Sequence, residues 1–164
     1  MPTPAYLTIK GSQQGLISAG ALGPESAGTA WQHGREDQIM VQAVNHDIFV
    51  EGGKASHRTH RPLVITKAFD KSSPLLNHAL CRAEALVLCR LEFYRISAQG
   101  TQERYYTIEL KEAVISRIQL EMPNCLNPLN AQLTVMERIY ISYRDINWAH
   151  EIGKTFGYDS WQGA

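Results

Sequence analysis

The sequence lacks an excess of charge of either sign. Lysine and arginine together number 16, and aspartate and glutamate also number 16, so the formal net charge is zero. Nucleic-acid binding needs cations that contact phosphates, and it usually brings a basic excess. The composition therefore disfavours a nucleic-acid partner. It also removes the long-range repulsion that would oppose dense packing of identical subunits.

Cysteine is scarce. Only Cys81, Cys89 and Cys125 are present, and no two of them stand in a CxxC spacing. A structural zinc site needs about four ligands, and an odd number of cysteines cannot all pair within one chain. We therefore expect three reduced thiols, as in a protein that folds in the cytoplasm.

Long apolar runs are also missing. No stretch approaches the ~18 apolar residues of a membrane helix. The N-terminus has neither the basic region nor the apolar region of a signal peptide. We expect no membrane insertion, and we expect any release from the cell to use a route that needs no signal peptide.

Motifs of catalysis are absent as well. The sequence contains no Walker loop, GxGxxG, HExxH or GxSxG, so we expect no catalytic, cofactor or metal site. His57 and His60 stand three apart in a polar stretch without a carboxylate or cysteine beside them. His33, Glu36 and Asp37 form a polar cluster, which leaves a hydrolase as one alternative, although turn contacts explain such a cluster better.

What the chain does contain is a series of strand patterns. Its 164 residues are the length of one domain, residues 1–164. Short β-rich segments predict strands at residues 6–10, 38–50 and 63–69, and residues 11–34 are predicted as loop with at most one short strand.

A single helix is predicted after the third of these strands. The sequence Ser72-Ser73-Pro74 predicts the helix start, with a serine at the N-cap and Pro74 at the first helical position. Leucine and alanine then recur at helical spacing over about ten residues.

Beyond the helix the apolar period is two. The alternation that starts at Val87 predicts a strand, and Gly100 predicts a hairpin turn. The next strand is predicted to bend at Glu112 and to resume its apolar face at Val114. The glycine-rich tail, residues 153–164, is predicted to be irregular.

These patterns indicate a mainly β protein, a β-barrel or sandwich of two sheets with one flanking α-helix. Aromatic and charged residues alternate on the second faces of its strands and are typical of protein–protein contacts. The candidates for a subunit interface are Arg90, Glu92, Tyr94, Tyr105, Arg138 and Tyr140. An RNA-binding sheet or a small-ligand-binding β-barrel remains the alternative to assembly.

Three stretches, taken in order, resemble one known family. The first is HRPLVITK at residues 60–67, which runs into DKSSPLL at residues 70–76. The second is LEFYR at residues 91–95, followed by Gly100 and by YYTIEL at residues 105–110. The third is MERI at residues 136–139, which leads to SYRDINW at residues 142–148. This combination is similar to the Hcp family, the hemolysin-coregulated proteins of bacterial type VI secretion systems.

The resemblance implies a β-barrel of two sheets with a helix on its flank, and a role in assembly. Hcp proteins form hexameric rings that stack into a tube, which a contractile sheath on a baseplate expels together with a VgrG spike. The lumen carries small effector proteins. The resemblance also implies assembly in the bacterial cytoplasm and later secretion without a signal peptide.

The family resemblance further implies an extended hairpin that reaches the neighbouring ring. Here that hairpin corresponds to residues 45–61. The residues expected to form the ring-stacking loop are Glu51, Gly52, Lys54, His57 and Arg58.

Overall fold

A computed structural model of the chain describes residues 3–53 and 57–162. Within these ranges the protein has thirteen β-strands, two α-helices and two short 3-10 helices, and all of the paired strands are antiparallel. The strands are β1 (Ala5–Gly11), β2 (Gly15–Leu16), β3 (Ile39–Val41), β4 (Ala43–Asn45), β5 (Ile48–Val50), β6 (Arg58–His60), β7 (Leu63–Ala68), β8 (Leu86–Ile96), β9 (Gln102–Lys111), β10 (Val114–Glu121), β11 (Met136–Ser142), β12 (Asp145–His150) and β13 (Thr155–Ser160). The helices are α1 (Pro24–Ala27), α2 (Ser73–Cys81) and the 3-10 helices Gly28–Ala30 and Pro128–Asn130.

Two sheets enclose one apolar core. The large sheet has the order β13-β12-β9-β8-β1-β2, and β3 also pairs with β1. The small sheet has the order β10-β11-β7-β4, and β5 pairs with β6 in a separate hairpin. Alternate residues of both sheets, such as Leu7, Ile9, Ile65 and Ile139, are fully buried between them. The mainly β, two-sheet prediction is therefore confirmed.

The chain passes from one sheet to the other several times, and two of these corners bear on the predictions. The first lies at Gln42, whose backbone N–H donates to the Thr66 carbonyl in the small sheet at 2.8 Å. The prediction of a single strand over residues 38–50 is therefore wrong, because this segment forms β3, β4 and β5. The second corner confirms the bend predicted at Glu112, which adopts φ 47° between β9 and β10.

Helix α2 forms where the sequence predicts it, but its first serines do not cap it as expected. Ser72 occupies the N-cap position without a side-chain bond to the helix, and its hydroxyl instead donates to the carboxylate of Asp70. Ser73 points its hydroxyl inward to Glu137. Leu76 and Ala79 lie on the buried face of α2, which packs against β10.

Four further predictions need correction. The tail is not irregular, because residues Thr155–Ser160 pair along the whole of β12 as β13. Val87 is exposed, because the register of β8 shifts opposite Gly11 and makes Leu86 the buried residue. Val114 is likewise exposed, and its neighbour Ile115 is buried. The segment 11–34 also contains the short helix α1 in addition to β2.

No helix in the described ranges is both long enough and apolar enough to span a lipid bilayer.

Candidate assembly surfaces

The β5–β6 hairpin is the segment that the family resemblance predicts to form the ring-stacking loop. Its tip is exposed at Glu51 and Gly52, and Gly52 has φ 63°, a conformation that suits glycine. His57 is also exposed at the start of the return strand. Lys54 lies outside the described residues.

Arg58 behaves differently from the other loop residues, because it binds a strand of the large sheet. Its Nε lies 2.6 Å from Oδ2 of Asp159, and one terminal nitrogen lies 3.0 Å from Oδ1. That nitrogen also donates to the carbonyl of Ser160 at 3.0 Å, and the indole N–H of Trp161 donates to the Arg58 carbonyl at 3.2 Å. The Arg58 guanidinium holds the pKa of Asp159 below its ordinary value. Together these bonds anchor β6 to β13.

A second set of bonds fixes the base of the hairpin. Nε2 of His60 lies 2.8 Å from Oδ2 of Asp159, and Nδ1 of the same ring lies 2.8 Å from the hydroxyl of Tyr143. His46 reaches that hydroxyl from the other side at 2.7 Å. Trp161 stacks on His60 with a centroid distance of 5.5 Å.

The protonation of this cluster follows from its partners. Because Asp159 is ionised, His60 donates through Nε2, and its Nδ1 accepts from the Tyr143 hydroxyl. The phenol oxygen then accepts from Nε2 of His46. Burial lowers the pKa of His46. Burial and the negative charge of Asp159 raise the pKa of Tyr143.

The six candidate interface residues do not form one cluster. Arg90, Glu92, Tyr94 and Tyr105 belong to β8 and β9 of the large sheet, whereas Arg138 and Tyr140 lie on β11 of the small sheet. The last two flank the buried Ile139 and lie on the outer face of that sheet. Arg138 pairs with Glu121 at 3.2 Å.

Two of the candidate interface residues, Glu92 and Tyr94, contact side chains of their own chain. Glu92 is buried and accepts from Arg104 at 2.6 Å and from the Gln38 amide at 2.7 Å. Tyr94 packs edge-on against Tyr6 at 5.6 Å. Glu92 and Tyr94 therefore contribute to the fold of the subunit.

Arg90 lies in a polar groove on the outer face of the large sheet. The groove has a volume of about 300 Å³, and Arg90 pairs there with Glu109 at 3.4 Å. Tyr105 lies below Arg95, whose guanidinium carbon is 5.2 Å from the ring centroid. Arg90 and Tyr105 are both half-buried, and they lie on the two central strands of the large sheet.

Most arginines of the described residues are neutralised by carboxylates. The ion pairs are Arg58–Asp159, Arg61–Asp47, Arg90–Glu109, Arg95–Glu103, Arg104–Glu92, Arg138–Glu121 and Arg144–Glu112. Phosphate recognition needs cations that are not already committed to carboxylates. The pairing pattern therefore disfavours the RNA-binding alternative.

His33, Glu36 and Asp37, the candidate hydrolase site of the sequence, make contacts within a loop. Asp37 accepts from the backbone N–H of Gly20 at 2.9 Å, and Glu36 accepts from that of Gly34 at 3.1 Å. His33 is exposed and lies 3.4 Å from Glu36. Across residues 3–53 and 57–162, no group of three His, Cys, Asp or Glu side chains is arranged to hold a metal ion.

Two exposed apolar surfaces escaped the sequence analysis. Strand β13 is an edge of the large sheet and exposes Phe156 and Tyr158. The connection between β10 and β11 exposes Leu126, Leu129 and Leu133. The sequence did indicate the second surface, because residues 122–135 contain several leucines and no Lys, Arg, Asp or Glu.

Comparison with known proteins places the chain among secretion proteins. Residues 6–150 match the family model described as "Type VI secretion system effector, Hcp". The chain is 47% identical over 167 residues to the "Major exported protein" of Pseudomonas aeruginosa, covering 99% of this chain and 97% of that protein.

Solved structures agree with this match. The structure titled "Secreted protein Hcp3 from Pseudomonas aeruginosa" has a TM-score of 0.86 and 43% identity, covering 98% of this chain and 99% of the other. A second structure, titled "Crystal structure of Hcp protein", has a TM-score of 0.90 and 36% identity with the same coverage of both chains, 98% and 99%. From its sequence and its fold, the chain belongs to the Hcp family of the type VI secretion system.

Proposed function

We propose that this chain, as a single Hcp-like domain of residues 1–164, is a structural subunit of the type VI secretion tube. Six copies close into a ring, and the rings stack into a tube. The protein performs no catalysis in this role. The observation that carries the proposal is that, in a chain of this family, β13 ends the large sheet and β10 ends the small sheet, and neither pairs with a further strand among the described residues.

Edge strands present unpaired backbone groups that can bind another chain, and soluble monomers usually cover or charge them. Strand β13 instead carries exposed Phe156 and Tyr158. A head-to-tail contact between two different surfaces generates a ring if its rotation closes. The zero net charge removes long-range repulsion between the copies.

Family membership supports the remaining partners that we propose. The tube is enclosed by a contractile sheath, starts on baseplate proteins and carries a VgrG spike, and small effector proteins travel in its lumen. Assembly takes place in the bacterial cytoplasm, and contraction then releases the protein outside the cell. The name "Major exported protein" of the Pseudomonas aeruginosa relative supports the release step.

Release can be tested in the bacterium that encodes the chain. We expect the protein in the culture medium of the parent strain and its retention in the cells of a strain without the sheath gene. A cytoplasmic marker protein controls for lysis. Equal amounts in both media would contradict the proposal.

A further inference from the structure

Side chains hold the β5–β6 hairpin to the rest of the protein. Among the described residues, β5 and β6 pair only with each other and share no backbone ladder with the two larger sheets. Four side chains at the base of the hairpin form one hydrogen-bonded series, which we call the histidine chain. In order, the histidine chain consists of His46, Tyr143, His60 and Asp159, joined at 2.7, 2.8 and 2.8 Å.

The histidine chain connects the hairpin to the two-sheet body of the protein. His46 lies just before β5 and His60 lies in β6, so both imidazoles move with the hairpin. Tyr143 lies between β11 and β12, and Asp159 lies in β13, so both of their partners belong to the body. Every bond of the histidine chain therefore breaks when the hairpin moves away from the body, and both imidazoles then meet water.

The closed histidine chain holds as many protons as it has bonds. Because the ionised Asp159 only accepts, the three bonds use the one proton of each neutral imidazole and the proton of the Tyr143 phenol. A further proton has no bond to enter. It binds at Nδ1 of His46, since Nε2 of that ring already bonds to Tyr143, and it makes the ring a cation.

The charged neighbours of the histidine chain do not favour this cation. The carboxylates that face the chain from the surrounding elements are each paired with an arginine, namely Asp159 with Arg58 at 2.6 Å, Asp47 with Arg61 at 3.4 Å and Glu112 with Arg144 at 3.1 Å. The phenol of Tyr140 lines the same groove as His46, and Arg117 of β10 lies over its ring at 5.0 Å. Burial lowers the pKa of His46 and acts in the same direction.

We propose that the histidine chain is an acid-sensitive switch that releases the β5–β6 hairpin from the body of the protein. The closed hairpin disfavours the further proton, whereas the open hairpin exposes His46 to water, where an imidazole has a pKa of about 6.5. The proton therefore binds the open form better than the closed form and shifts the equilibrium toward the open form. Arg58 stays charged throughout this range, so its bonds to Asp159 limit opening at neutral pH without adding to the pH dependence.

The switch is a property of the single chain and does not rest on the proposed function. In an exported protein, it would keep the hairpin fixed at neutral pH and release it in acidic surroundings.

Hydrogen exchange followed by mass spectrometry tests the switch on the full chain at one protein concentration. Exchange rates of the hairpin and of β8 are measured at about pH 7.5 and about pH 5.5, and each is divided by the intrinsic rate at that pH. We expect acid to lower the protection of the hairpin roughly three- to tenfold, because one proton changes an equilibrium by at most about tenfold per pH unit. The hairpin should exchange faster than β8 at both pH values, because it opens without global unfolding.

Three variants separate the switch from a general effect of acid. His46→Gln removes the titrating ring and keeps an N–H for the Tyr143 hydroxyl, so its hairpin should be equally protected at both pH values. The matched control is His57→Gln, because His57 is an exposed histidine of the same hairpin, and this variant should respond to acid like the wild type. Tyr143→Phe removes the central hydroxyl with little change in shape and should lower the protection of the hairpin at about pH 7.5.

Several results would overturn the inference. They are a hairpin that exchanges only at the rate of β8, wild-type protection that is equal at both pH values, an acid response that persists in His46→Gln or disappears in His57→Gln, and a Tyr143→Phe hairpin that is as protected as the wild type. Because hydrogen exchange reports on the hairpin of a monomer and of a ring alike, the switch and the proposed function can fail separately.

Discussion

Lys67 and Glu137 form an ion pair inside the core, and its removal gives the largest single effect that we predict. The side chains of Lys67 and Glu137 are 0% and 1% exposed, and Nζ lies 2.5 Å from Oε1 of Glu137. Nζ also lies 2.9 Å from the hydroxyl of Ser73 and 3.1 Å from Oδ1 of Asp70. The change Lys67→Met removes the cation and leaves the buried Glu137 carboxylate without a compensating charge, although the Ser73 hydroxyl still donates to it.

Loss of one partner of a buried ion pair costs about 3–5 kcal/mol, because the remaining charge keeps its desolvation penalty. For a domain of this size, each kcal/mol lowers Tm by about 2–4 °C. We therefore expect Lys67→Met to lower Tm by roughly 6–20 °C. The double change to Met at Lys67 and Glu137 removes both charges and should recover most of this loss.

The assay is thermal unfolding at a fixed protein concentration, because assembly stabilises the chain by mass action. Arg138→Met is the matched control. Arg138 neighbours Glu137 in sequence, but its pair with Glu121 lies on the surface, where such a pair contributes about 0–1 kcal/mol. If Lys67→Met destabilised the protein no more than Arg138→Met, the reasoning about the buried pair would be refuted.

Three further predictions concern the hairpin and the thiols. Asp159→Ala should accelerate hydrogen exchange in β6 while the amides of β8 exchange as before; unchanged exchange in β6 would contradict the anchoring role. The pKa of His46 is lowered in the folded chain by burial, so the unfolded chain binds more protons below its own pKa of about 6.5. The free energy of unfolding should thus fall as pH drops below that value, and the fall should be less steep in His46→Gln. An equally steep fall in that variant would contradict the prediction. Burial raises the pKa of Cys89 to about 12. A thiol reagent should therefore label the exposed Cys81 and Cys125 quickly and Cys89 only after unfolding. Rapid labelling of all three thiols would contradict the burial of Cys89.

Local patterns were enough to predict most strands, helix α2 and the turn at Gly100. The change of sheet at Gln42 was not predictable in the same way, because the residues on both sides of it favour strands and the corner depends on tertiary hydrogen bonds. Strand β13 was missed for a similar reason. Gly153, Gly157 and Gly163 indicated an irregular tail and outweighed the strand preference of Thr155, Phe156 and Tyr158, which is realised by pairing with β12.

The anchored hairpin shows another limit of sequence reasoning. Arg58 and Asp159 are separated by 101 positions, so no local pattern connects them. The buried ion pair did leave a trace. Lys67 occupies the next inward-facing position of β7 after the apolar Leu63 and Ile65. Glu137 likewise occupies an inward-facing position of β11, where the pattern calls for an apolar residue. Two polar residues at core positions of neighbouring strands indicate a buried pair once the register is known.

The most direct test of a ring-forming tube subunit is the mass of the purified chain in solution, measured by light scattering after size-exclusion chromatography. We predict a particle of six times the chain mass of 18.4 kDa, with ring-shaped images in electron micrographs of the same peak. A chain that stays monomeric at every concentration measured would contradict assembly, although the two-sheet fold would remain.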